Sequence, residues 1–161
     1  MSRVAAKIES LGLVLPGALR LPAGLVLPFR LVRVYDDRAY VSGHGPLNGD
    51  GTLARPFGKL GRDLTVEQGY HAARLTALAV LGSLQRELGA LDRIVCWTRM
   101  FGMVSSGAGF NQQPSVINGF SDLIIELFGR ECGAHSRSAV GMAELPFDLP
   151  VEVEAEVVIA P

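Results

Sequence analysis

The sequence predicts an α+β domain whose helices cover one face of a single sheet. Three observations predict it. Residues 134–158, AHSRSAVGMAELPFDLPVEVEAEVV, hold two runs with the two-residue alternation of half-buried strands, joined by the turn-like Leu145-Pro146-Phe147-Asp148-Leu149-Pro150. Residues 66–88 and 114–128 each carry an apolar stripe at three- and four-residue spacing. Residues 25–42 read as a hairpin, with Asp36-Asp37 as its tight turn.

Taken in order, residues 3–11 form a short helix, with Val4, Ala5, Ile8 and Leu11 apolar at helical spacing and Gly12 just past its end. Pro16 and Pro22 keep the next stretch extended. Residues 1–24 are thus a helix and an extended arm ahead of one domain spanning 25–161. Leu25 to Val34 is a first strand, and Arg38 to Ser42 is its partner, delivering Ser42-Gly43-His44-Gly45-Pro46 to the hairpin end. Residues 48–63 are a turn-rich loop. Thr65 caps the first long helix, and Gln68 completes a capping box. Val66, Tyr70, Ala73, Ala77, Val80, Leu84 and Leu88 make its inner stripe. Arg93 to Met103 is a strand with apolar residues on both faces, which places it centrally in the sheet. Pro114 opens the second long helix, Ile117, Phe120, Ile124 and Leu127 face inward, and Gly129 follows its end.

At 161 residues the chain can bury one proper core. Charged residues make up 19%, against about 25% in typical domains, so part of the surface is expected to be covered by other copies. A net charge of −1 without a basic stripe argues against a nucleic-acid partner. Cys96 and Cys132 are isolated, with no Cys or His at metal-ligand spacing, which points to no metal site and to a reducing compartment. The N-terminus lacks the apolar run of a signal peptide, and the apolar segment 11–34 is broken by Pro16, Arg20, Pro22, Pro28 and Arg30. No membrane partner and a cytoplasmic location are expected.

The C-terminal runs carry the chemistry. In the first, Ser138, Val140 and Met142 oppose Arg137, Ala139 and Gly141; in the second, Val151, Val153, Ala155 and Val157 oppose Glu152, Glu154 and Glu156. If the two runs pair in one sheet with both apolar sets on the core, Arg137 and the three glutamates share the opposite face. Judged on the residues alone, Arg137 is a strand arginine paired with a glutamate, the glutamates are a solvated strand face, and His44 is a surface loop residue.

Tyr40-Val41-Ser42-Gly43, the helix–strand–helix middle, and Arg137-Ser138-Ala139-Val140 through Leu145-Pro146 to Val151-Glu152-Val153-Glu154-Ala155 resemble the RidA/YjgF family, also called the endoribonuclease L-PSP family, over about residues 28–158. The longer middle loops and N-terminal helix resemble a divergent branch. The resemblance implies a chorismate-mutase-like fold with a mixed sheet, a homotrimer, and ligand clefts between subunits. It implies hydrolysis of enamine or imine carboxylates such as 2-aminoacrylate to a keto acid and ammonia, without a cofactor.

By the same resemblance Arg137 grips the substrate carboxylate and Glu152 positions the attacking water, while Gly43, Ala139, Phe29 and His44 line the ligand site. The family usually has tyrosine at Phe29, glutamine at His44 and, in its deaminating branch, cysteine at Ala139. A non-catalytic trimer that binds small carboxylates is therefore the alternative. Ribonuclease activity has least support, because neither a basic groove nor a clear histidine pair is present.

Overall fold

The computed structural model describes residues 3–161. In chain order it contains α1 (Arg3–Ser10), β1 (Val32–Tyr35), β2 (Arg38–His44), α2 (Val66–Leu88), β3 (Ile94–Ser105), α3 (Gln113–Gly133), β4 (Ser136–Met142) and β5 (Val151–Ile159). The strands form one mixed sheet in the order β1-β2-β5-β3-β4. β3 and β4 are parallel, joined by α3, and the other neighbours are antiparallel.

Alternation along β5 buries Val151, Val153, Ala155 and Val157 and leaves Glu152, Glu154 and Glu156 on the other side. Register carries that division across the sheet: Met100, Gly102 and Val104 of β3 face the same way as the β5 valines, with Ala39 and Val41 of β2. α2 packs over β2 and β5, and α3 over β3 and β4, so both long helices lie on this face. Trp97 is fully buried between them and the sheet, edge-on to Phe120 and Phe128 at 6.0 and 5.6 Å between ring centres. The helices approach so closely that a Cβ on Gly119 would stand 2.0 Å from the Tyr70 carbonyl oxygen.

The predicted capping box is present: Thr65 Oγ1 accepts from the Gln68 N–H, and Gln68 Oε1 accepts from the Thr65 N–H. α3 runs past the predicted end. Gly129 adopts φ 77°, ψ 166°, and one further turn continues to Gly133. α1 contributes Val4 and Ile8 to the main core, beside α3.

Four expectations are corrected. Strand β1 begins at Val32, not Leu25, and residues 25–31 run as an irregular arm: Pro28 has no N–H for a ladder, and the apolar side chains of this segment cover a cavity instead of a sheet face. β5, not β3, is the central strand, and Val95 of β3 is half exposed. β2 extends to His44, beyond Ser42. Finally, β4 and β5 do not pair, since β3 lies between them. Arg137 is in register with buried Met100 and Ala139 with Gly102, so both stand on the helix side, opposite the glutamates. The parallel β3–α3–β4 crossover sets this register, and Ser138 and Val140 consequently face away from the helices.

Candidate functional site

The site begins at an irregularity in β2. Val41 pairs with Ala155, yet His44 pairs with Val153, so three steps on β2 match two on β5. Ser42 and Gly43 absorb the extra residue as a bulge. Strict alternation from Ala39 and Val41 would turn residue 43 inward; the bulge turns His44 inward instead and leaves Gly43 on the glutamate side. There it meets Glu152. A Cβ built on Gly43 would lie 1.9 Å from Glu152 Oε1 and 2.8 Å from Cδ. Glycine at 43 is what admits the carboxylate against the β2 backbone.

Glu152 is half-buried, and burial raises its pKa above the usual carboxylate value, with the Glu154 charge adding to the effect. It forms one wall of a cavity of about 230 Å³, shared with Gly43, His44 and Phe29. The arm supplies most of the apolar wall, through Leu19, Leu21, Leu27 and Leu31, and Phe147 of the β4–β5 connection closes another side. Phe147 and Asp148 hold φ values of 58° and 56°, a left-handed conformation that disfavours side-chain-bearing residues. Among the described residues on the cavity wall, Arg20 is the one arginine or lysine.

His44 is buried, contrary to the surface position expected from the residue alone. Its Nδ1 lies 2.6 Å from the Ser42 carbonyl and Nε2 lies 2.8 Å from Ser83 Oγ on α2. Nδ1 must donate to a carbonyl, so Nε2 accepts the Ser83 hydroxyl proton. Arg86 Nη2 donates to Ser83 Oγ at 3.1 Å, and Arg86 Nη1 to the Pro16 carbonyl at 2.9 Å, which ties the arm to α2. Burial, aided by the Arg86 charge, holds the imidazole pKa below its ordinary value against the opposing pull of the Ser42 carbonyl. His44 is thus a neutral bracket between strand and helix.

Arg137 and Ala139 are not part of this cavity. Arg137 Nη1 donates to Ser121 Oγ at 3.0 Å, and Nη2 donates to Asn118 Oδ1 at 2.7 Å and the Pro114 carbonyl at 3.3 Å. All three acceptors are neutral, and among the described residues Arg137 forms no ion pair, so the expected glutamate partner is absent. The guanidinium is half-buried on the edge strand with its positive charge uncompensated by contact. Ser121 Oγ donates in turn to His135 Nε2 at 2.9 Å, and His135 Nδ1 donates to the Gly133 carbonyl at 2.8 Å. The order arginine, serine, histidine, carbonyl is the same as at Arg86, Ser83, His44 and Ser42.

Sequence reading missed the arm as a cavity wall, and missed Ser83, Arg86, Arg20 and Phe147. The arm did carry a signal: Leu19, Leu21, Leu25, Leu27 and Leu31 recur between prolines, in a stretch that can be neither a helix nor a central strand. No group of three or more potential metal-ligating side chains occurs among the described residues, and none of their helices is long and apolar enough to cross a membrane.

Residues 17–152 match the family model described as "YjgF/chorismate mutase-like, putative endoribonuclease". Protein TCP17 of Trypanosoma cruzi is 42% identical over 153 residues, spanning 95% of this chain and 92% of that protein. Among solved structures, Atu1372 of Agrobacterium tumefaciens, described as of unknown function, is 37% identical with a TM-score of 0.85, covering 98% of this chain and 92% of that one. A protein of Shewanella oneidensis described as a "putative endoribonuclease" is 28% identical with a TM-score of 0.88, covering 98% and 100%.

Proposed function

Because the chain belongs to the YjgF/chorismate mutase-like family, we propose that it hydrolyses small, reactive enamine or imine carboxylates to keto acids and ammonia, in clefts between the subunits of a homotrimer. The observation that carries this reading is the pairing of Gly43 with Glu152: a carboxylate of raised pKa, seated against a strand bulge and open to a cavity of metabolite size. Such a group suits both halves of a hydrolysis. It accepts a proton as water adds to the electrophilic imine carbon, and returns it to nitrogen as the carbon–nitrogen bond breaks. An enamine first tautomerises to its imine, so water supplies the keto oxygen and the nitrogen leaves as ammonia.

The carboxylate grip comes from a second copy. Two strand spacings, about 10 Å, and the thickness of the sheet separate Arg137 from Glu152 within one chain. Arg137 lies on an edge strand and forms no ion pair among the described residues, a placement that suits reaching a substrate held against the neighbouring subunit's Glu152. A guanidinium fork binds a carboxylate bidentately, and each such bond contributes about 1.5–3 kcal/mol. Backbone groups of Gly43 and of Ala139 complete the cleft. The open glutamate face of the sheet, with Tyr35, Tyr40 and Val95 exposed, is the surface the trimer covers. No cofactor takes part, and the two partly buried, unpaired cysteines suit a cytoplasmic setting.

A binding trimer without turnover is the second reading, favoured by Phe29 and Ala139, which lack the hydroxyl and thiol usual at those positions. Keto-acid release from enzymatically generated 2-aminoacrylate and larger imines separates the two. Acceleration abolished by Arg137→Ala and by Glu152→Gln supports the hydrolase. Carboxylate binding that needs Arg137, with no acceleration of any imine, supports the binding trimer.

A further inference from the structure

We infer that the arm-walled cavity is a subsite for the substrate's side chain, and that the substrate is a 2-imino acid with a branched or extended apolar side chain, not the methyl-sized product of 2-aminoacrylate. This rests on the imine-hydrolase reading of the same site. The cavity's about 230 Å³ falls below the roughly 300–1,000 Å³ of sites for drug-sized ligands, which fits a compact metabolite.

Its chemistry is one-sided. Of the polar side chains on its wall, His44 and Ser83 are committed to each other, with the remaining imidazole nitrogen on the Ser42 carbonyl. Glu152 is needed for water. Among the described side chains on the wall, only Arg20 is left to meet a charged or polar group, whereas Leu19, Leu21, Leu27, Leu31, Phe29 and Phe147 present hydrocarbon. A ligand can satisfy its polar end at Glu152 and at the guanidinium of a neighbouring copy, but the part that enters the chamber meets apolar walls. A methyl group would leave most of that space unfilled, and apolar surface gains by being covered.

The two aromatic rings are exposed beyond what a closed wall requires. Phe29 is 55% and Phe147 44% exposed, and both line the cavity. Phe147 keeps its place through a left-handed backbone at two successive residues, φ 58° and 56°, a conformation that costs energy and persists only where the surroundings impose it. Both rings therefore offer apolar surface that an apolar substituent in the cavity would cover.

Calorimetric binding of two keto-acid products, pyruvate and 4-methyl-2-oxopentanoate, tests the inference on the intact protein, alongside turnover of the imines formed by an amino-acid oxidase from L-alanine and L-leucine. The branched keto acid is expected to bind about tenfold or more tightly, with kcat/KM for the imines favouring leucine in the same direction. Phe29→Ala should reduce that ratio several-fold, and Phe29→Leu should keep most of it. A binding ratio near one, no binding of either acid, or a ratio untouched by Phe29→Ala overturns the inference, including the case in which a neighbouring subunit fills the chamber. A binding preference without turnover of any imine upholds the chamber and overturns the hydrolase reading.

Discussion

The Glu152 carboxylate occupies the space that a side chain on Gly43 would need, with Oε1 only 1.9 Å from the Cβ position. The atoms in the way belong to the outer end of a flexible side chain, not to backbone. A methyl group at residue 43 therefore displaces the carboxylate without unpacking the sheet. Gly43→Ala is expected to leave the free energy of unfolding within about 1 kcal/mol of wild type while imine turnover falls roughly a hundredfold, since a misplacement of about 1 Å in a reacting group costs that much. A large loss of stability in denaturant titration, or wild-type turnover, would count against Glu152 as the working group.

Arg137 and Glu152 act on one substrate only if two subunits meet. Arg137→Ala and Glu152→Gln are each expected to be inactive as pure oligomers. Refolded together in equal amounts, they should recover about a quarter of wild-type activity, because random assembly pairs an intact Arg137 with an intact Glu152 at about one interface in four. No recovery from a demonstrably mixed oligomer would place both groups in one chain's site.

His44 makes stability depend on pH in a stated direction. Its folded pKa lies below its ordinary value of about 6.5. As pH falls through that value the unfolded chain takes up a proton that the folded one refuses, so stability drops on acidification until the folded pKa is passed. His135, partly buried and beside Arg137, adds in the same sense. Glu152 opposes them, because its folded pKa is raised and its protonation favours the folded state at low pH. His44→Gln removes one titrating group while keeping an amide able to bridge Ser42 and Ser83. The fall in urea midpoint between pH 7.5 and pH 5.5 should be smaller in the variant; an equal fall would mean that His44 contributes nothing to it.

Gly119 fixes the distance between the long helices. Its Cβ position lies 2.0 Å from the Tyr70 carbonyl oxygen and 2.8 Å from the carbonyl carbon, both backbone atoms that cannot swing aside. Gly119→Ala is expected to destabilise by about 3 kcal/mol, the upper range for overpacking. At roughly 2–4 °C per kcal/mol, the melting temperature should fall by about 6–12 °C. A change below about 2 °C would show that α2 and α3 separate freely.

Much of this architecture is local and so could be read from the residues. Helix α2 was legible to the residue because Thr65 and Gln68 close a capping box and Gly89 follows the last turn, interactions made within a few positions of the chain. The alternation of β5 fixed which side its glutamates face, because a strand's side-chain period is two whatever its neighbours are. The resemblance named Glu152 and Gly43 for separate roles, and their contact across the β2 bulge is seen only in the structure.

What the sequence by itself determined, then, was the type and order of the regular elements, the span of α2, the inner stripe of each long helix and the apolar face of β5. Only the tertiary structure decided which face of β4 meets the helices, since that follows from β3 lying between β4 and β5 and from the register of a parallel pair, both set by residues far apart in the chain. It also decided that His44 turns inward, because a bulge of one residue reverses alternation and no short-range pattern announces it. And it decided what the leucines of the arm do: without a ladder of their own they are placed by the cavity they cover, a constraint that exists only once the sheet and α2 have formed it.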